Sequence, residues 1–427
     1  MKSINTHTGF ALKLLSASIF LSTATINSAN AAGLQLMPGS PNFGTAGAGH
    51  AAVGEGAGSA WANPASMTQL EGNHLGFGLI GAQTDIQFDA DDPDADSGGN
   101  AGGTIFIPSF SYAHSLTDDL KLGLSMVVPF GNAIDYDDDW VGQDAATEVG
   151  MNTLQFMPSM AYRLNDQWSF GAGITVNQTT VHQELEQVKV MPGVYADLGL
   201  EASGTAYGWT AGTTYEFNSG HRLGLVYRSQ VDTDLSGDAD LSAEKLGLDE
   251  TLDADLNWEN PASLMLSGYH ELDNDWSVMW DLGRTFYSAF ETTEIEVPEL
   301  GDAPLEIHRN WQDADRFAFG AHYNLTPKVI LQAGYSYDES SVSDENRTAD
   351  MPLDDIQRYT AGALYQVTED VQLAFGLEYA QLGNARIEAE SDEVATSGLL
   401  DNISLDSPPG DYESSAIATS FSVNYQF

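Results

Sequence analysis

Alternation of apolar and polar side chains at every second residue is the feature that most constrains the fold of this chain. In the segment 371–379, Val, Leu, Phe, Leu and Tyr share one face, whereas Gln, Ala, Gly and Glu share the other. Segments 329–338 and 168–177 repeat the pattern, with apolar side chains on one face and mostly small or polar ones on the other. A period of two is that of a β-strand, so the chain is predicted to be all-β.

Composition excludes several other classes of protein. A net charge of −47, from 15 Lys+Arg against 62 Asp+Glu, excludes duplex nucleic acid as a partner. The 42% of hydrophobic residues excludes a disordered acidic chain. The sequence has no cysteine, so disulfides, thiolate metal sites and a cysteine nucleophile are excluded. It also lacks an apolar run of about 18 residues, which excludes a transmembrane helix.

The first residues have the features of an export signal. Lys2 and Lys13 supply positive charge, an apolar stretch covers 10–21, and Ala-Asn-Ala at 29–31 fits a cleavage site. We therefore predict a secretory signal peptide over residues 1–31. A membrane anchor is the alternative interpretation of this short apolar stretch.

A transmembrane β-barrel explains the alternation in an exported chain. Its last strand alternates up to the terminal Phe427, an ending similar to the assembly signal of bacterial outer-membrane barrels. In lipid every backbone polar group must be paired within the protein, and a sheet achieves this only by closing. Aromatic residues near strand ends fit interfacial girdles; examples are Tyr162, Trp168, Tyr215, Trp276 and Tyr425. A soluble β-sandwich is the alternative.

The connections alternate between short and long. Short polar turns occur at 117–119, 165–167, 218–220, 273–275, 326–328 and 368–370. Six tight turns separated by seven long connections predict an antiparallel barrel of about 14 strands over 72–427, with the turns at the periplasmic end.

The long connections are acidic. They include 89–96, 135–139, 232–255 and 388–406. A solvated surface is the plainer interpretation, and carboxylates such as Asp137–Asp139 binding Ca²⁺ or Mg²⁺ is the alternative.

The segment before the barrel, residues 32–71, is rich in Gly and Ala. About 14 strands enclose a lumen, and we expect this segment to plug it.

The order of several motifs resembles one family across the whole mature chain. Ala-Gly-Leu-Gln-Leu at 32–36, Gly-Glu-Gly-Ala at 54–57 and Asn-Pro-Ala at 63–65 are similar to the hatch of FadL-type long-chain fatty acid transporters. The family includes the hydrocarbon-uptake porins for toluene and xylene. Segments 311–317 and 337–342, which lead to Arg347 and Pro352, resemble its later strands.

The resemblance implies passive uptake of hydrophobic compounds, most of all long-chain fatty acids, through a hatch-gated barrel in the Gram-negative outer membrane. It implies lateral exit at a kinked third strand. The implied hatch-gating residues are Gly54, Glu55, Gly56, Asn63, Pro64 and Ala65. The implied kink consists of Pro129, Phe130 and Gly131. The proposed ligand-binding residues are Leu34, Leu36, Phe43, Arg316, Arg347 and Arg358.

Each of these roles has a plainer alternative. Asn63-Pro64 can be an ordinary turn, and Phe130-Gly131 can be a strand end. The apolar residues of the segment can simply form its own core. The arginines can be paired with wall carboxylates.

The expected partners are the hydrophobic ligand and outer-membrane lipid, including lipopolysaccharide. We expect a monomer without cofactor or metal.

The ligand remains open between two chemistries. Gln312 stands where the fatty acid type is expected to carry a lysine, and 175–184 contains no Arg or Lys. Neutral hydrocarbons such as monoaromatics or alkanes are therefore the alternative ligands. A surface adhesin or phage receptor and an open porin are further alternatives. An enzyme is not expected, because the sequence has no Gly-x-Ser-x-Gly and its histidines lack metal-site spacing.

Overall fold

The computed structural model describes residues 35–54, 56–299, 304–388 and 407–427. The predicted signal peptide lies outside these residues, as do Leu34 and Glu55.

The described chain forms one sheet of nineteen strands. The strands are β1 (His74–Ala90), β2 (Thr104–Ser115), β3 (Leu120–Asp135), β4 (Glu148–Arg163), β5 (Trp168–Met191), β6 (Val194–Asn218), β7 (His221–Arg228), β8 (Val231–Ala243), β9 (Leu248–Asn260), β10 (Ser263–Glu271), β11 (Trp276–Thr285), β12 (Thr292–Glu296), β13 (Leu305–His308), β14 (Ala314–Thr326), β15 (Val329–Asp338), β16 (Ile356–Gln366), β17 (Val371–Gln381), β18 (Arg386–Ile387) and β19 (Gly410–Gln426).

Fourteen of these strands make a closed antiparallel barrel. They are β1–β7, β10, β11, β14–β17 and β19, each paired with the next. The barrel closes where β1 pairs with β19 from His74↔Gln426 to Ala90↔Gly410. The predicted all-β barrel of about 14 strands is therefore confirmed, and each of the six predicted turns joins two neighbouring strands.

The other strands extend the barrel at the end opposite the tight turns. β8 and β9 form a hairpin across 232–255, so the prediction of a long acidic loop there is wrong. In β8 the exposed carboxylates alternate with buried apolar residues: Asp232 and Asp234 are exposed, whereas Val231 and Leu235 are buried. β12 and β13 form a second, shorter hairpin.

The two faces of the barrel strands differ as the alternation predicts. On β17, Phe375 and Leu377 are 52% and 54% exposed on the outer face, whereas Ala374 is 5% exposed on the inner one. The outer surface of the barrel is therefore apolar and aromatic. No helix within the described ranges is long and apolar enough to cross a membrane.

Short helical turns complete the secondary structure. They are the 3₁₀ turns η1 (Pro41–Thr45), η2 (Pro64–Gln69), η3 (Glu244–Leu246) and η4 (Tyr287–Ala289) and the α-helical turn α1 (Ser59–Ala62). η1, α1 and η2 belong to the amino-terminal segment, here residues 35–54 and 56–73, which lies inside the barrel.

Candidate lumenal binding site

The amino-terminal segment is packed against the inner wall on many sides. η1 contacts β14–β17 and β19, α1 contacts β2–β4, and η2 contacts β3–β6. Wall side chains also accept hydrogen bonds from its backbone: Asp281 from Gly49 at 2.9 Å, and Ser267 from Ala51 at 2.9 Å. The segment therefore contacts the inner wall on many sides of the lumen.

Glycines on the inner wall make this close approach possible. A Cβ at Gly224 of β7 would clash with the carbonyl of Ala51, and one at Gly212 of β6 would clash with the side chain of Asn63. Other wall glycines whose Cβ would meet the segment are Gly76, Gly78, Gly123, Gly171, Gly320, Gly334, Gly362 and Gly376. The small inner face of the strands is thus the surface on which the segment packs.

Basic wall residues bind the carboxyl ends of the segment's turns. Free carbonyls at the end of a helical turn carry partial negative charge and attract cations. The pairs are Lys121 to Leu70, Arg163 to Thr68, Arg222 to Ala52, Arg228 to Trp61 and Ala62, and Arg316 to Ala46. Five of only 15 basic residues in the chain thus hold the segment.

Asn63 joins two turns of the segment to the wall. It is fully buried, and its Oδ1 accepts from the backbone N–H of Ala65, capping η2, in which Pro64 is the first residue. Its Nδ2 donates to the carbonyls of Ala51 at 2.7 Å and of Thr213 on β6 at 3.2 Å. All donors and acceptors of this side chain therefore serve to position the segment.

The predicted gating glycines lie at the end of the lumen nearest the tight turns. Gly54 approaches the side chain of Gln69, and Gly56, with φ of 74°, approaches Asn424 of β19. The side chain of Asn424 accepts from the backbone of Ala57 at 3.1 Å. The structure thus places Gly56 and Asn63 in the segment–wall interface and Gly54 against the segment's own Gln69, and their gating role stays a prediction.

β3 leaves its neighbour β2 part-way along. The β2–β3 pairing ends at Phe110↔Met126, and the β3–β4 register shifts between Val127 and Phe130. The amino-terminal segment takes over as partner: Gln35 bridges Phe130, and the N–H of Leu36 donates to the carbonyl of Pro129 at 2.8 Å. The predicted kink residues therefore lie beside a wall window that the segment covers from inside. We call this the β2–β3 window.

An apolar pocket lies behind this window. Its lining combines Leu36, Met37 and Phe43 of the segment with wall residues of β1, β2, β16, β17 and β19. The wall residues include Ile80, Ala82, Ile105, Ile107, Arg358, Glu378, Ala380, Ala416 and Ala418. Two predicted ligand residues, Leu36 and Phe43, thus meet the predicted Arg358 in one pocket.

Charged residues form a network at one end of this pocket. Arg316 donates to Asp338 at 2.6 Å and 2.8 Å and to the carbonyl of Ala46 at 2.7 Å. Arg358 donates to the same carboxylate and lies 3.8 Å from Glu378. The second oxygen of Glu378 has no hydrogen-bond partner among the described residues. The network therefore links the pocket to the segment.

The third predicted arginine lies elsewhere. Arg347 is buried in the outer loops, where it donates to the carbonyl of Leu353 at 2.7 Å. These loops pack over the outer mouth of the barrel, with Trp140 fully buried and stacked on Tyr136 at 3.8 Å. Arg347 stabilises this cover and is outside the pocket lining.

A cluster between the segment and the wall was not predicted from the sequence. His50 packs edge-on against Trp61, with ring centroids 5.2 Å apart, and Arg228 lies over the Trp61 ring at 4.4 Å. Arg228 donates to Nε2 of His50 at 3.2 Å, so this nitrogen carries no proton. Burial, followed by the charges of Arg228 and Arg316, lowers the pKa of His50 well below 6.5.

Comparison with known proteins identifies the family. The sequence model described as outer membrane protein transport protein (OMPP1/FadL/TodX) matches residues 21–427. This chain belongs to that family. It is therefore an outer-membrane β-barrel transport protein.

Relatives of the OMPP1/FadL/TodX family match most of the chain. The long-chain fatty acid transport protein of Escherichia coli K12 is 26% identical over 392 residues, covering 82% of this chain and 87% of the relative. Outer membrane protein P1 of Haemophilus influenzae is 27% identical over 445 residues, covering 93% and 95%.

Solved structures share the fold. A Pseudomonas aeruginosa FadL homologue superposes with a TM-score of 0.83 at 20% identity, covering 92% of this chain and 100% of the other. The Ralstonia pickettii toluene transporter TbuX superposes with a TM-score of 0.70 at 17% identity, covering 92% and 99%.

Several residues of this site were not predicted from the sequence. Asp338 and Glu378 fall on the polar inner faces of their strands, so the alternation placed them in the lumen, but their partners come from other strands. Arg228 follows Gly224 and Val226 at every second position of β7, which is the inner face. That spacing was the available signal for Arg228. His50 and Trp61 lie in a segment without period, and no signal pointed to them.

Proposed function

We propose that this protein takes up long-chain fatty acids across the outer membrane by passive diffusion. The ligand enters the pocket beside the amino-terminal segment and leaves sideways through the β2–β3 window. One observation carries the proposal: the apolar pocket ends in charged groups and touches the part of the wall where β2 and β3 are unpaired.

The lining of the pocket is complementary to an amphipathic ligand. Its apolar lining favours an acyl chain, at about 25 cal/mol per Å² of apolar surface removed from water. Its polar end offers the Arg358 donors that Asp338 does not use and the Glu378 oxygen that has no partner among the described residues, and a hydrocarbon could pair with neither. A carboxylic acid group can pair with both. The name of the E. coli relative, a long-chain fatty acid transport protein, agrees with this ligand.

The wall beside the pocket supports lateral exit. Ile105 and Ile107 of β2 line the pocket on the stretch of β2 that does not pair with β3. Leu36 and Val128 pack against them and fill the window. Unpaired strand edges are tolerated at membrane depth only where protein or a cavity covers them. Moving residues 35 and 36 would therefore open a passage from the pocket to the bilayer.

Neutral hydrocarbons are the second candidate ligands, and one observation favours them. Arg316 and Arg358 share the carboxylate of Asp338, and Glu378 adds a further negative charge. A ligand carboxylate would therefore meet arginines whose positive charge is already neutralised by Asp338 and Glu378. The toluene transporter TbuX also shares the fold.

Uptake by a bacterial strain that lacks its own fatty acid transporter distinguishes the two ligands. Cells that express this protein are given labelled oleate or labelled toluene. Arg358→Met removes the donor at the polar end, so oleate uptake should fall about tenfold while toluene uptake is unchanged. Ala418→Phe fills the pocket and should lower uptake of whichever compound is carried.

Matched controls separate these effects from misfolding. Ala172→Phe makes the same change on the exposed outer face of β5 and should leave uptake unchanged. Surface levels of every variant are measured with the same cells. If the unmodified protein takes up toluene, and Arg358→Met does not change oleate uptake, the hydrocarbon alternative would be established. Uptake of neither compound by the unmodified protein would overturn the proposal.

A further inference from the structure

Three metal-ligating side chains meet on the outside of the barrel, away from the pocket. Glu148 begins β4, and His182 and Glu184 lie on β5. The register pairs Glu148 with Glu184 and Gly150 with His182, which puts all three on one face. The neighbouring Val149 and Val181 are buried on the inner face, so the triad faces outward.

The triad has the spacing of a coordination site. One ligand atom from each side chain lies within 4.8 Å of the other two. Nε2 of His182 is 3.9 Å from Glu148 Oε2 and 3.4 Å from Glu184 Oε1. The three side chains are 32% to 50% exposed, so an ion can reach them from solvent. Their backbones belong to paired strands, which fixes the arrangement.

The negative charges around this position favour binding of a cation. Glu148 and Glu184 stand directly opposite each other, an arrangement that destabilises a sheet when both are charged. Asp135 of β3 faces Glu148 from the other side, and Glu201 of β6 faces His182. Among the described residues, no Lys or Arg forms an ion pair with these carboxylates.

The ligand set selects the kind of ion. Ca²⁺ and Mg²⁺ prefer oxygen ligands alone, whereas an imidazole nitrogen with two carboxylates suits Zn²⁺ and similar ions. We propose that Glu148, His182 and Glu184 bind a divalent transition-metal ion such as Zn²⁺. Three protein ligands leave a fourth position of a tetrahedral ion open toward the exterior. The ion ties the outer ends of β4 and β5 together.

Metal titration of the purified, tag-free protein in detergent tests this site independently of uptake. After treatment with chelator and its removal, Zn²⁺ is titrated by calorimetry, and Co²⁺ is followed by its visible absorption. We expect one ion per chain in each case. His182→Ala, Glu148→Gln and Glu184→Gln should each weaken binding by about tenfold or more. An excess of Ca²⁺ should not displace Zn²⁺.

Matched variants show whether the effect is specific. His114→Ala removes a partly exposed strand histidine, and Glu413→Gln removes an exposed carboxylate of β19; both should bind Zn²⁺ like the unmodified protein. Circular dichroism confirms that each variant retains the barrel. Absence of Zn²⁺ binding, equal binding by His182→Ala, or equal displacement by Ca²⁺ would overturn the proposal.

Discussion

Asn63 concentrates the attachment of the amino-terminal segment in one side chain. Asn63→Ala leaves the carbonyl of Ala51 and the N–H of Ala65 without this partner in a buried site. Such a loss costs about 1–3 kcal/mol, equivalent to roughly 5- to 150-fold faster exchange of the segment's amide hydrogens. Hydrogen exchange followed by mass spectrometry should show this change over 49–67, while the barrel strands keep their protection.

Asn165→Ala is the matched control for that variant. The side chain of Asn165 also hydrogen-bonds to the backbone, accepting from the N–H groups of Gln167 and Trp168 at 2.9 Å, but in an exposed turn. It should leave the exchange of the segment unchanged. Unchanged exchange in Asn63→Ala would show that the segment is held by its other contacts.

His50 makes the hold on the segment dependent on pH. Its pKa is lowered in the folded protein, so the unfolded state binds more protons below pH 6.5. The stability that neutral His50 contributes is therefore present above pH 6.5 and lost as the pH falls toward the folded pKa. Protonation would also end the hydrogen bond from Arg228. Exchange of the segment should be faster at pH 5.5 than at pH 7.5, after correction for intrinsic rates.

His50→Gln is the control for this pH dependence. The glutamine keeps an acceptor for Arg228 and does not titrate, so its corrected exchange should vary less with pH. The same acid-induced increase in both proteins would assign the effect to other groups.

Residue types were easier to predict than their partners. The sequence singled out Asn63, Arg316 and Arg358, but not that one carboxylate, Asp338, is shared by both arginines. Arg316, Asp338 and Arg358 lie on β14, β15 and β16, and only the sheet register brings them together. Hydrogen bonds of Asn63 to Ala51 and Thr213 likewise depend on how the segment folds inside the lumen.

At the scale of elements, wall glycines decide whether the segment can dock. Gly224→Ala puts a methyl group against the backbone carbonyl of Ala51, which cannot move without displacing the segment. We expect increased protease cleavage within the segment and no change in the barrel's heat-modifiable gel mobility. Gly199→Ala is the matched control on β6, because its Cβ meets only Asp240, at an ordinary 3.7 Å. Equal cleavage in both variants would contradict close docking at β7.

The strands were predictable and the outer hairpins were not. Each barrel strand shows the period of two and is joined by polar turns, and both signals are local. In β8 and β9 the alternation exists, but Asp replaces the apolar residue on the outer face, so the pattern resembled a loop. That face meets water instead of lipid, because the hairpin extends beyond the barrel.

At the scale of the whole molecule, closure explains how an acidic, glycine-rich chain forms a stable membrane protein. β1 and β19 meet along seventeen residue pairs, so the barrel has no open edge there. The β2–β3 window is where a wall pairing stops part-way, and the beginning of the described chain covers it. This window was indicated from the sequence only through resemblance, although Pro108 of β2 and Pro129 of β3, which cannot donate to a strand ladder, both lie in the unpaired stretch.

A reversible cross-link between the segment and β3 tests the central claim of this account. The chain has no cysteine, so Gln35→Cys with Phe130→Cys introduces one possible disulfide at two bridged positions. The double variant is expressed in cells that take up labelled oleate or toluene, and peptide mass spectrometry measures the fraction cross-linked. We predict that oxidation stops uptake and that reduction of the same cells restores it. Undiminished uptake by fully cross-linked protein would contradict exit through the β2–β3 window.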